Sequence, residues 1–325
     1  MDTMRAVTQD SYGPPSVLHV ERIPIPVPGE GEVLIRVRAA TVGVVDGLAR
    51  SGLPFYARTH FGLRRPRFPV LGSDFAGVVE SAGRSVTRFG VGDAVFGTVA
   101  PRFGAHAEYV CLPSSAAVAP MPTGVSFAEA AALADATALC FLRDKAGLRE
   151  GQTVLINGAS GAVGAAAVQL ARHYGAVVTG VCSGPHTGLV RKLGAESVID
   201  YTRTDFTQAG RQYDVILDVA GKSSFLRCRG ALRSGGVYLT TAPSPAIMVQ
   251  MPWTARFGRT RAVVAFTGLR SAALKRADLL VLRDLVEKSS LTAVIGARFP
   301  LERIAEAHAR VDAGHKKGNI VVTIA

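Results

Sequence analysis

The segment from Val154 to Gly184 constrains the fold more than any other, because it changes from a β-branched run to small residues and back to a Val-rich run. The first run ends at Asn157, the small residues continue to Ala167, and the second run reaches Cys182. This pattern predicts a strand, a glycine turn, a helix and a second strand parallel to the first. A parallel sheet of this kind is covered by helices on both faces.

Strands and helices continue to alternate after this segment, so we predict an α/β fold with a doubly wound parallel sheet of the Rossmann type. Before it, short strands separated by Gly and Pro predict a compact β-barrel or sandwich. Ser126, Glu129 and Gly147 mark the start and the end of one long helix between the two regions. The predicted strands of the parallel sheet are 153–157, 177–183, 197–200, 214–219, 237–241 and 262–266, with helices at 163–174 and 189–193. The predicted domains are 1–121, 122–268 and a segment 269–325 that returns to the first domain.

Net charge and cysteine usage narrow the class of protein. The chain of 325 residues has a formal charge of +12, but its arginines are spread and neither basic cluster, at 63–67 or 256–262, has aromatic residues interleaved in a recognisable nucleic-acid-binding motif. This distribution argues against a nucleic-acid-binding protein. The four cysteines are scattered without a C-x-x-C pair, so neither a disulfide framework nor a clustered zinc site is predicted. With no secretory signal and no apolar run of about 18 residues, we expect a cytoplasmic protein without a membrane span.

The glycine-rich turn after the first strand predicts a dinucleotide-binding site. Residues 159–164 form a G-x-G-x-x-G variant with Ala159 in the first place. Gly161 lets the backbone approach a pyrophosphate, and Gly164 lets the helix pack close to the strand. The N–H groups at the start of the helix attract phosphate. The cofactor contacts predicted here are Ser160, Gly161, Ala162, Val163 and Gly164.

The end of the second strand indicates which nicotinamide cofactor is used. In NAD-preferring sites an Asp or Glu usually stands here and holds the ribose hydroxyls. This chain has the loop SGPH at 183–186 instead, and no carboxylate between Glu150 and Glu196. Ser183 can donate a hydrogen bond and His186 can supply positive charge to a 2′-phosphate, although His186 can equally be a plain loop residue. We therefore predict NADP(H) as the cofactor.

Five sequence blocks along almost the whole chain resemble a known family. They are YGPPSVLHVERIPIPVPGEGEVLIRVRAATVGVVD (12–46), PVLGSDFAGVVESAG (69–83), GDAVFG (92–97), NGASGAVG (157–164) and RKLGAESVIDY (191–201). In order and spacing they resemble the medium-chain dehydrogenase/reductase superfamily, in its zinc-free branch of zeta-crystallin-like quinone oxidoreductases. The resemblance implies a GroES-like β-barrel formed by the N-terminal part and the tail, with a Rossmann domain between them. It also implies an active site in the cleft between these domains.

The same resemblance implies cofactor contacts outside the glycine turn. Thr137 matches the threonine that meets the nicotinamide at the start of the linking helix. Asn319 stands where relatives often have a basic residue. Tyr201, Thr240 and Phe266 complete the implied cofactor-binding residues.

The zinc ligands of the superfamily are missing from the sequence. Zinc-dependent relatives have a Cys in the segment that reads VGVVD here, and a His-Glu pair where this chain has Ser73 and Asp74. A catalytic zinc needs three N, S or O ligands, and a structural zinc needs four clustered thiolates. Neither set is present, so we predict that the protein binds no metal.

Candidates for direct catalytic support are few. Asp46 matches a family aspartate, although a carboxylate here can simply hold its loop. Enoyl-thioester reductases carry a proton-donating Tyr where this chain has Pro54, and Tyr56 lies two residues on. Tyr56 can also be a packing residue. The predicted catalytic residues are Asp46, Tyr56 and Thr137.

Hydride transfer to an already polarised acceptor needs positioning rather than a metal. The leading hypothesis is therefore NADPH-dependent reduction of a quinone or an α,β-unsaturated carbonyl. The alternatives are reduction of an enoyl thioester, which Pro54 disfavours, and a nucleotide-binding protein with little turnover that docks an acidic partner or RNA. Residues 261–268 form an apolar edge strand, which predicts a homodimer through strand pairing.

Overall fold

The computed structural model describes residues 2–314 and 316–325, which divide into two compact units. The first unit contains the chain up to Asp135 together with Gly268–Ala325, and the second contains Ala136–Thr267. The sequence boundary at residue 122 therefore lies before the division found in the structure. None of the helices in the described residues is both long and apolar enough to cross a membrane.

The first unit is built mainly on antiparallel strands. The strands are β1 (Thr3–Thr8), β2 (His19–Pro24), β3 (Glu32–Val42), β4 (Asp74–Ala82), β5 (Ala94–Thr98), β6 (Tyr109–Pro113), β7 (Ala117–Pro120), β14 (Ile295–Pro300) and β15 (Asn319–Thr323). The long strand β3 pairs with β4, β6 and β15, while β5 joins β4 to β7 and β14 lies parallel to β15. The helices are α1 (Val44–Ser51), α2 (Arg58–Phe61), α3 (Phe127–Leu133), α9 (Ala272–Glu287) and α10 (Ile304–Asp312).

The core of the first unit follows the alternation of β3. Val33, Ile35 and Val37 are buried on one face of this strand, as the sequence pattern predicts. Ile304 of α10 and Val322 of β15 belong to the same core. The tail thus supplies core residues to the first unit.

Several buried polar atoms of the first unit have no hydrogen-bond partner within the described residues. His106 donates from Nε2 to the carbonyl of Thr41 over 2.9 Å, which leaves Nδ1 without a partner. His308, with its ring centroid 5.8 Å from that of His106, has a partner at neither nitrogen. Arg50 pairs through Nη2 with Asp312, but its Nε and Nη1 atoms have no partner. Burial, with His106 and Arg50 nearby, lowers the pKa of His308 to about 2, so its ring is neutral in the folded protein.

The second unit is the predicted parallel sheet. The strands are β8 (Thr153–Asn157), β9 (Val177–Cys182), β10 (Ser197–Asp200), β11 (Tyr213–Asp218), β12 (Leu232–Thr240) and β13 (Arg261–Val264). They run in the order β10-β9-β8-β11-β12-β13, and every pair is parallel. The helices are α4 (Thr137–Leu139), α5 (Ala162–His173), α6 (Thr187–Lys192), α7 (Phe225–Cys228) and α8 (Pro245–Phe257). The strand order reverses beside β8, where sheets of this kind bind ligands at the carboxyl ends of their strands.

The long helix predicted after Ser126 is two helices in the structure. Ser126 caps α3 as predicted, because its Oγ accepts from the N–H of Glu129 and the Glu129 carboxylate accepts from the N–H of Ser126. However, α3 ends at Leu133, and the chain leaves the first unit before α4 begins. A π-helix, Cys140–Ala146, follows α4 and ends at Gly147, whose φ of 59° is left-handed. The prediction of one continuous helix was wrong. The break at 134–136 contains neither Gly nor Pro, so the sequence has no residue there that signals the end of a helix.

Candidate functional site

The turn between β8 and α5 is shaped by three glycines. Gly158 has a φ of 90°, a conformation that L side chains rarely adopt. Gly161 donates its N–H to the carbonyl of Gly158 over 3.0 Å and immediately precedes α5. A Cβ on Gly164 would lie 2.1 Å from that same carbonyl oxygen. The motif assigns the tight turn to its first position, Ala159, whereas in the structure Gly158 makes this turn.

The start of α5 fits a phosphate. No side chain caps the helix, and no acidic residue lies in its first turn. The N–H groups of a first helical turn lack partners within the helix, and they attract anions. A Cβ on Gly161 would meet only the Gly158 carbonyl, at 3.4 Å, so space remains beside this residue. Ala162 and Val163 begin the helix, and Ser160 is buried just before it.

A buried carboxylate organises the neighbouring strand ends. Asp218, the last residue of β11, is fully buried. Its Oδ1 accepts from Asn157 Nδ2 over 2.8 Å and from the N–H of Gly221 over 3.0 Å. Its Oδ2 accepts from the Tyr238 hydroxyl and from the N–H of Ser223, each over 3.0 Å. Burial and the Asp218 charge raise the pKa of Tyr238, which therefore remains a donor. No local sequence pattern indicates this network, because its side-chain members lie on three separate strands.

The residues predicted to distinguish NADP from NAD lie together at the carboxyl ends of β9 and β10. Ser183 Oγ is 3.4 Å from His186 Nδ1. The N–H of Tyr201 donates to the carbonyl of Cys182 over 3.1 Å, and the Tyr201 side chain is about half exposed. A hydroxyl and an imidazole therefore lie together in this loop, and the backbone of Tyr201 is bonded to the residue just before it.

This loop also contains a carboxylate that the sequence pattern does not place there. Asp200 ends β10, and its Oδ1 accepts from the N–H and hydroxyl of Thr202 over 3.0 and 2.8 Å. A Cβ on Gly184 would lie 2.8 Å from Asp200 Oδ2. Hydrogen bonds from the side chain and backbone of Thr202, with Arg203 3.9 Å away, lower the pKa of Asp200. Although the sequence has no acid between Glu150 and Glu196, the fold therefore brings a carboxylate, that of Asp200, to this loop.

The other implied cofactor contacts of the second unit are at or near strand and helix ends. Thr137 begins α4, and its Oγ1 is 3.0 Å from that of Thr267. Thr240 is buried at the end of β12 and accepts from the N–H of Ala242. Phe266 follows β13 and is about half exposed.

Asp46, Tyr56 and Asn319 belong to the first unit. Asp46 is fully buried and accepts from the N–H of Gly43 over 2.7 Å and from that of Gly72 over 3.0 Å. These bonds oppose burial, which is the larger effect and raises the pKa of Asp46.

The side chains of Tyr56 and Asn319 are more exposed than that of Asp46. Tyr56 is exposed in a short turn, Phe55–Ala57. Asn319 begins β15, where its backbone N–H and its Nδ2 donate to the carbonyl of Val294. Its amide thus holds the β14–β15 junction.

The described residues contain no group of three or more His, Cys, Asp or Glu side chains placed to hold a metal ion. Where zinc-dependent relatives carry His and Glu, Ser73 Oγ donates to Asp74 Oδ2 over 3.3 Å. A hydroxyl and one carboxyl do not provide the three N, S or O ligands of a catalytic zinc. The metal content of the protein stays a prediction.

Two known protein families match this chain, and together their matched segments include parts of both units. Residues 29–123 match the family described as alcohol dehydrogenase GroES-like domain. Residues 193–322 match the family described as zinc-binding dehydrogenase. The antiparallel sheet of the first unit is therefore the GroES-like barrel that the resemblance implies.

Individual proteins match the chain over nearly its full length. It is 31% identical to the chloroplastic quinone-oxidoreductase QR1 of Triphysaria versicolor, with 98% of each chain covered. It is 32% identical to the quinone oxidoreductase of Homo sapiens, covering 95% of this chain and 94% of the relative. The structure of the quinone oxidoreductase from Coxiella burnetii superposes with a TM-score of 0.88 at 27% identity, covering all of both chains. The chain is an oxidoreductase and belongs to the medium-chain dehydrogenase/reductase superfamily, in its zinc-free quinone oxidoreductase branch.

Proposed function

We propose that this oxidoreductase uses NADPH to reduce quinones or α,β-unsaturated carbonyls. The observation that carries the proposal is the turn at Gly158, Gly161 and Gly164 before an uncapped helix, which fits a dinucleotide pyrophosphate. The named relatives are quinone oxidoreductases, which supports a quinone as substrate.

The loop at the end of β9 supports NADPH over NADH. Ser183 and His186 offer a hydroxyl and an imidazole to a 2′-phosphate, and Tyr201 offers a phenol. The Asp200 carboxylate is ionised and would repel the phosphate, but it already accepts hydrogen bonds from Thr202 and Gly184, and Arg203, 3.9 Å away, adds a compensating positive charge. We therefore expect the preference to be set by Ser183 and His186.

In the proposed mechanism the protein positions its ligands. The start of α5 would bind the pyrophosphate, and Thr137 and Thr240 would hold the nicotinamide end. When bound, the nicotinamide supplies a hydride. The protein must then stabilise the negative charge that develops on the substrate oxygen and supply a proton to it.

Fluorescence titration with NADPH and NADH tests the cofactor proposal directly. We expect NADPH to bind the wild-type protein at least about tenfold more tightly, and Ser183→Asp to shift the preference toward NADH because it repels the 2′-phosphate. Ser290→Asp is a control for added charge, since Ser290 lies after α9 in the other unit. Equal affinity for the two nucleotides, or tighter NADH binding, would contradict the proposal.

A steady-state assay with NADPH against small quinones and enones tests the substrate class. We expect turnover of at least one quinone, since the relatives carry that name. Nucleotide binding without turnover of any compound would favour the alternative of a binding protein.

The proposal includes a homodimer formed through β13. This strand pairs with β12 on one side, and no strand in the described residues pairs with its other edge. The adjacent helix α8 exposes the large apolar side chains Val249, Trp253 and Phe257. An open apolar edge favours pairing with a second chain.

Light scattering at micromolar concentration should give the mass of a dimer. Val264→Pro should weaken association because proline cannot donate in a strand ladder. Since Val264 is buried, Trp253→Glu on the exposed face of α8 is a second variant that leaves the core intact. A wild-type monomer would refute the dimer.

A further inference from the structure

The strand pair β8–β11 is linked at both of its ends by a carboxylate of β11. At the amino end, Asp214 Oδ2 accepts from the N–H and the hydroxyl of Thr153, each over 2.8 Å. At the carboxyl end, Asp218 Oδ1 accepts from Asn157 Nδ2 over 2.8 Å. The two links are about 13 Å apart along the strands. Only the second lies at the end of the sheet where ligands bind in folds of this kind.

The link at the carboxyl end fixes the residue from which the glycine turn starts. Asn157 is the last residue of β8 and is buried. Its carbonyl accepts from the N–H groups of Val219 and Ala220, over 3.1 and 3.2 Å. Both the side chain and the carbonyl of Asn157 are therefore bonded to residues at or just after the end of β11. Neither can move without losing a hydrogen bond.

Asp218 also shapes the loop that follows β11. The N–H groups of Gly221 and Ser223 donate to its two oxygens, each over 3.0 Å. This loop packs directly on the glycine turn, since a Cβ on Gly158 would lie 3.1 Å from the backbone nitrogen of Ala220. One carboxylate therefore fixes both the start of the turn and the loop against which the turn packs.

The rest of the turn is bonded to β9 and to itself. The N–H groups of Gly158 and Ala159 donate to the carbonyl of Val181, each over 3.0 Å. The carbonyl of Gly158 accepts from the N–H of Gly161, which leads directly into α5. A displacement of Asn157 is therefore passed on to the first N–H groups of the helix. These are the groups that attract phosphate.

We propose that Asp218 is a positioning residue of the nucleotide site, an inference that rests on the proposed function. It contacts no phosphate in this role. It holds the glycine turn, through Asn157 and the loop at 219–223, in the conformation that receives the pyrophosphate. Binding then does not have to order the turn. Ordering even one residue of backbone lowers an equilibrium constant by a factor of about ten.

Nucleotide affinity in two matched variants tests the proposal. Asn157→Ala removes the donor to Asp218 at the carboxyl end, and Thr153→Val removes the hydroxyl donor to Asp214 at the amino end of the same strand pair. We expect the Kd for NADPH, from fluorescence titration, to rise about tenfold in Asn157→Ala and to stay within about twofold of wild type in Thr153→Val. Both variants should lose stability to urea, because each removes a hydrogen bond from the same sheet. An equal rise in Kd in both variants, or no rise in either, would overturn the proposal.

The loss of affinity should be the same for NADPH and NADH. The two nucleotides carry the same pyrophosphate, so Asn157→Ala should raise both Kd values by the same factor and leave their ratio at the wild-type value. Ser183→Asp, by contrast, is expected to change that ratio. A changed ratio in Asn157→Ala would place the effect at the 2′-phosphate and contradict a role at the pyrophosphate.

Asp218→Asn tests the carboxylate itself. Four donors point at this side chain, and an amide has only one oxygen to accept from them. We expect the Kd for NADPH to rise further than in Asn157→Ala, and a wild-type Kd would contradict the assignment. If Asp218→Asn does not fold, the comparison of Asn157→Ala with Thr153→Val decides the question alone.

Hydrogen exchange of the nucleotide-free protein tests the geometry without any binding. The amides of Gly158 and Ala159 should exchange about tenfold faster in Asn157→Ala than in wild type, and Thr153→Val should leave them unchanged. Unchanged exchange in Asn157→Ala would show that Asp218 does not hold the turn.

These experiments separate the two proposals. If the wild-type protein binds neither nucleotide, the proposed function fails, and the positioning role of Asp218 fails with it. If the wild type binds NADPH and Asn157→Ala binds it equally well, only the positioning role is wrong.

Discussion

One buried polar cluster in each unit invites comparison, because the two clusters differ in how fully their atoms are hydrogen-bonded. In the second unit the buried Asp218 accepts four hydrogen bonds, from Asn157, Tyr238 and two backbone N–H groups. In the first unit both nitrogens of the buried His308 have no partner in the described residues, and Arg50 leaves two donors unpaired. A satisfied buried network stabilises and orders its surroundings, whereas an unsatisfied polar group costs free energy.

The difference arises from how each group of residues is brought together. Asn157, Asp218 and Tyr238 lie on strands paired in register, so one sheet positions all three. His106, Arg50 and His308 come from a loop and two helices far apart in the sequence. In these two clusters, the polar atoms that paired strands bring together are hydrogen-bonded, and those that a loop and two helices bring together are not. Removing a member of the satisfied cluster should therefore destabilise the protein, and removing a member of the unsatisfied cluster should stabilise it.

The largest effect is expected where backbone packs on backbone in the second unit. Gly164→Ala places a Cβ 2.1 Å from the carbonyl oxygen of Gly158, and neither main chain can yield easily. We expect the free energy of unfolding to fall by about 3 kcal/mol, measured by urea denaturation. Gly188→Ala is the control, since nothing lies within 4 Å of a Cβ at Gly188, and it should be neutral or stabilising. Equal stability of the two variants would show that this contact is not rigid.

A smaller effect, of opposite sign, is expected for His308 in the first unit. Its pKa is lowered to about 2, whereas the unfolded chain takes up this proton near its ordinary value of 6.5. The unfolded state therefore binds more protons below that value, and the folded protein loses stability as the pH falls. Replacing the ring by Leu removes this loss, so His308→Leu should be more stable than wild type by about 2 kcal/mol at pH 5.

Unfolding of wild type, His308→Leu and His173→Leu between pH 5 and 8 measures this effect. His173 is exposed at the end of α5, so its variant should keep the wild-type pH dependence. If the free energy of unfolding of His308→Leu falls with decreasing pH as steeply as that of the wild type, His308 is not the cause of the acid sensitivity.

The smallest change in the free energy of unfolding is expected for two tyrosines of the second unit, Tyr238 and Tyr213. The Tyr238 hydroxyl donates to Asp218, whereas the buried hydroxyl of Tyr213 has no partner within the described residues. Tyr238→Phe should lower the free energy of unfolding by about 1.5 kcal/mol, because the buried carboxylate loses a donor. Tyr213→Phe should be neutral or slightly stabilising. Thermal denaturation at neutral pH distinguishes them, and equal losses would show that both hydroxyls are satisfied, by water if not by protein.

The sequence predicts the parallel sheet well, because each of its strands is a continuous apolar run bounded by turn residues. β8 and β10 have the predicted bounds, and the other strands of this sheet overlap their predicted ranges. Helix α8 was not predicted, since Pro252 lies inside it and its apolar residues follow no clear period. Helix α1 was missed as well, because it follows β3 after the single residue Gly43, which offers no capping side chain.

The candidate site likewise contains some residues that the sequence predicts and others that it does not. The contribution of Gly161 and Gly164 is predictable because the motif is local. By contrast, Asp200 reaches Gly184 only through the pairing of β9 with β10. The charged neighbours of Asp74 are Asp46 of α1, Lys275 of α9 and Asp135 in the break after α3, and no spacing in the sequence places them together. Side chains that meet through long-range pairing leave no short pattern to recognise.

The pairing of β15 with β3 has a consequence for biosynthesis. Thr323 lies opposite Ala39, so the strand that completes the first sheet leaves the ribosome only after the whole second unit. The second unit, which is continuous in the chain, is able to fold while the edge of β3 is still open. We therefore expect a nascent intermediate with one finished unit and one exposed sheet edge, a state in which aggregation competes with completion.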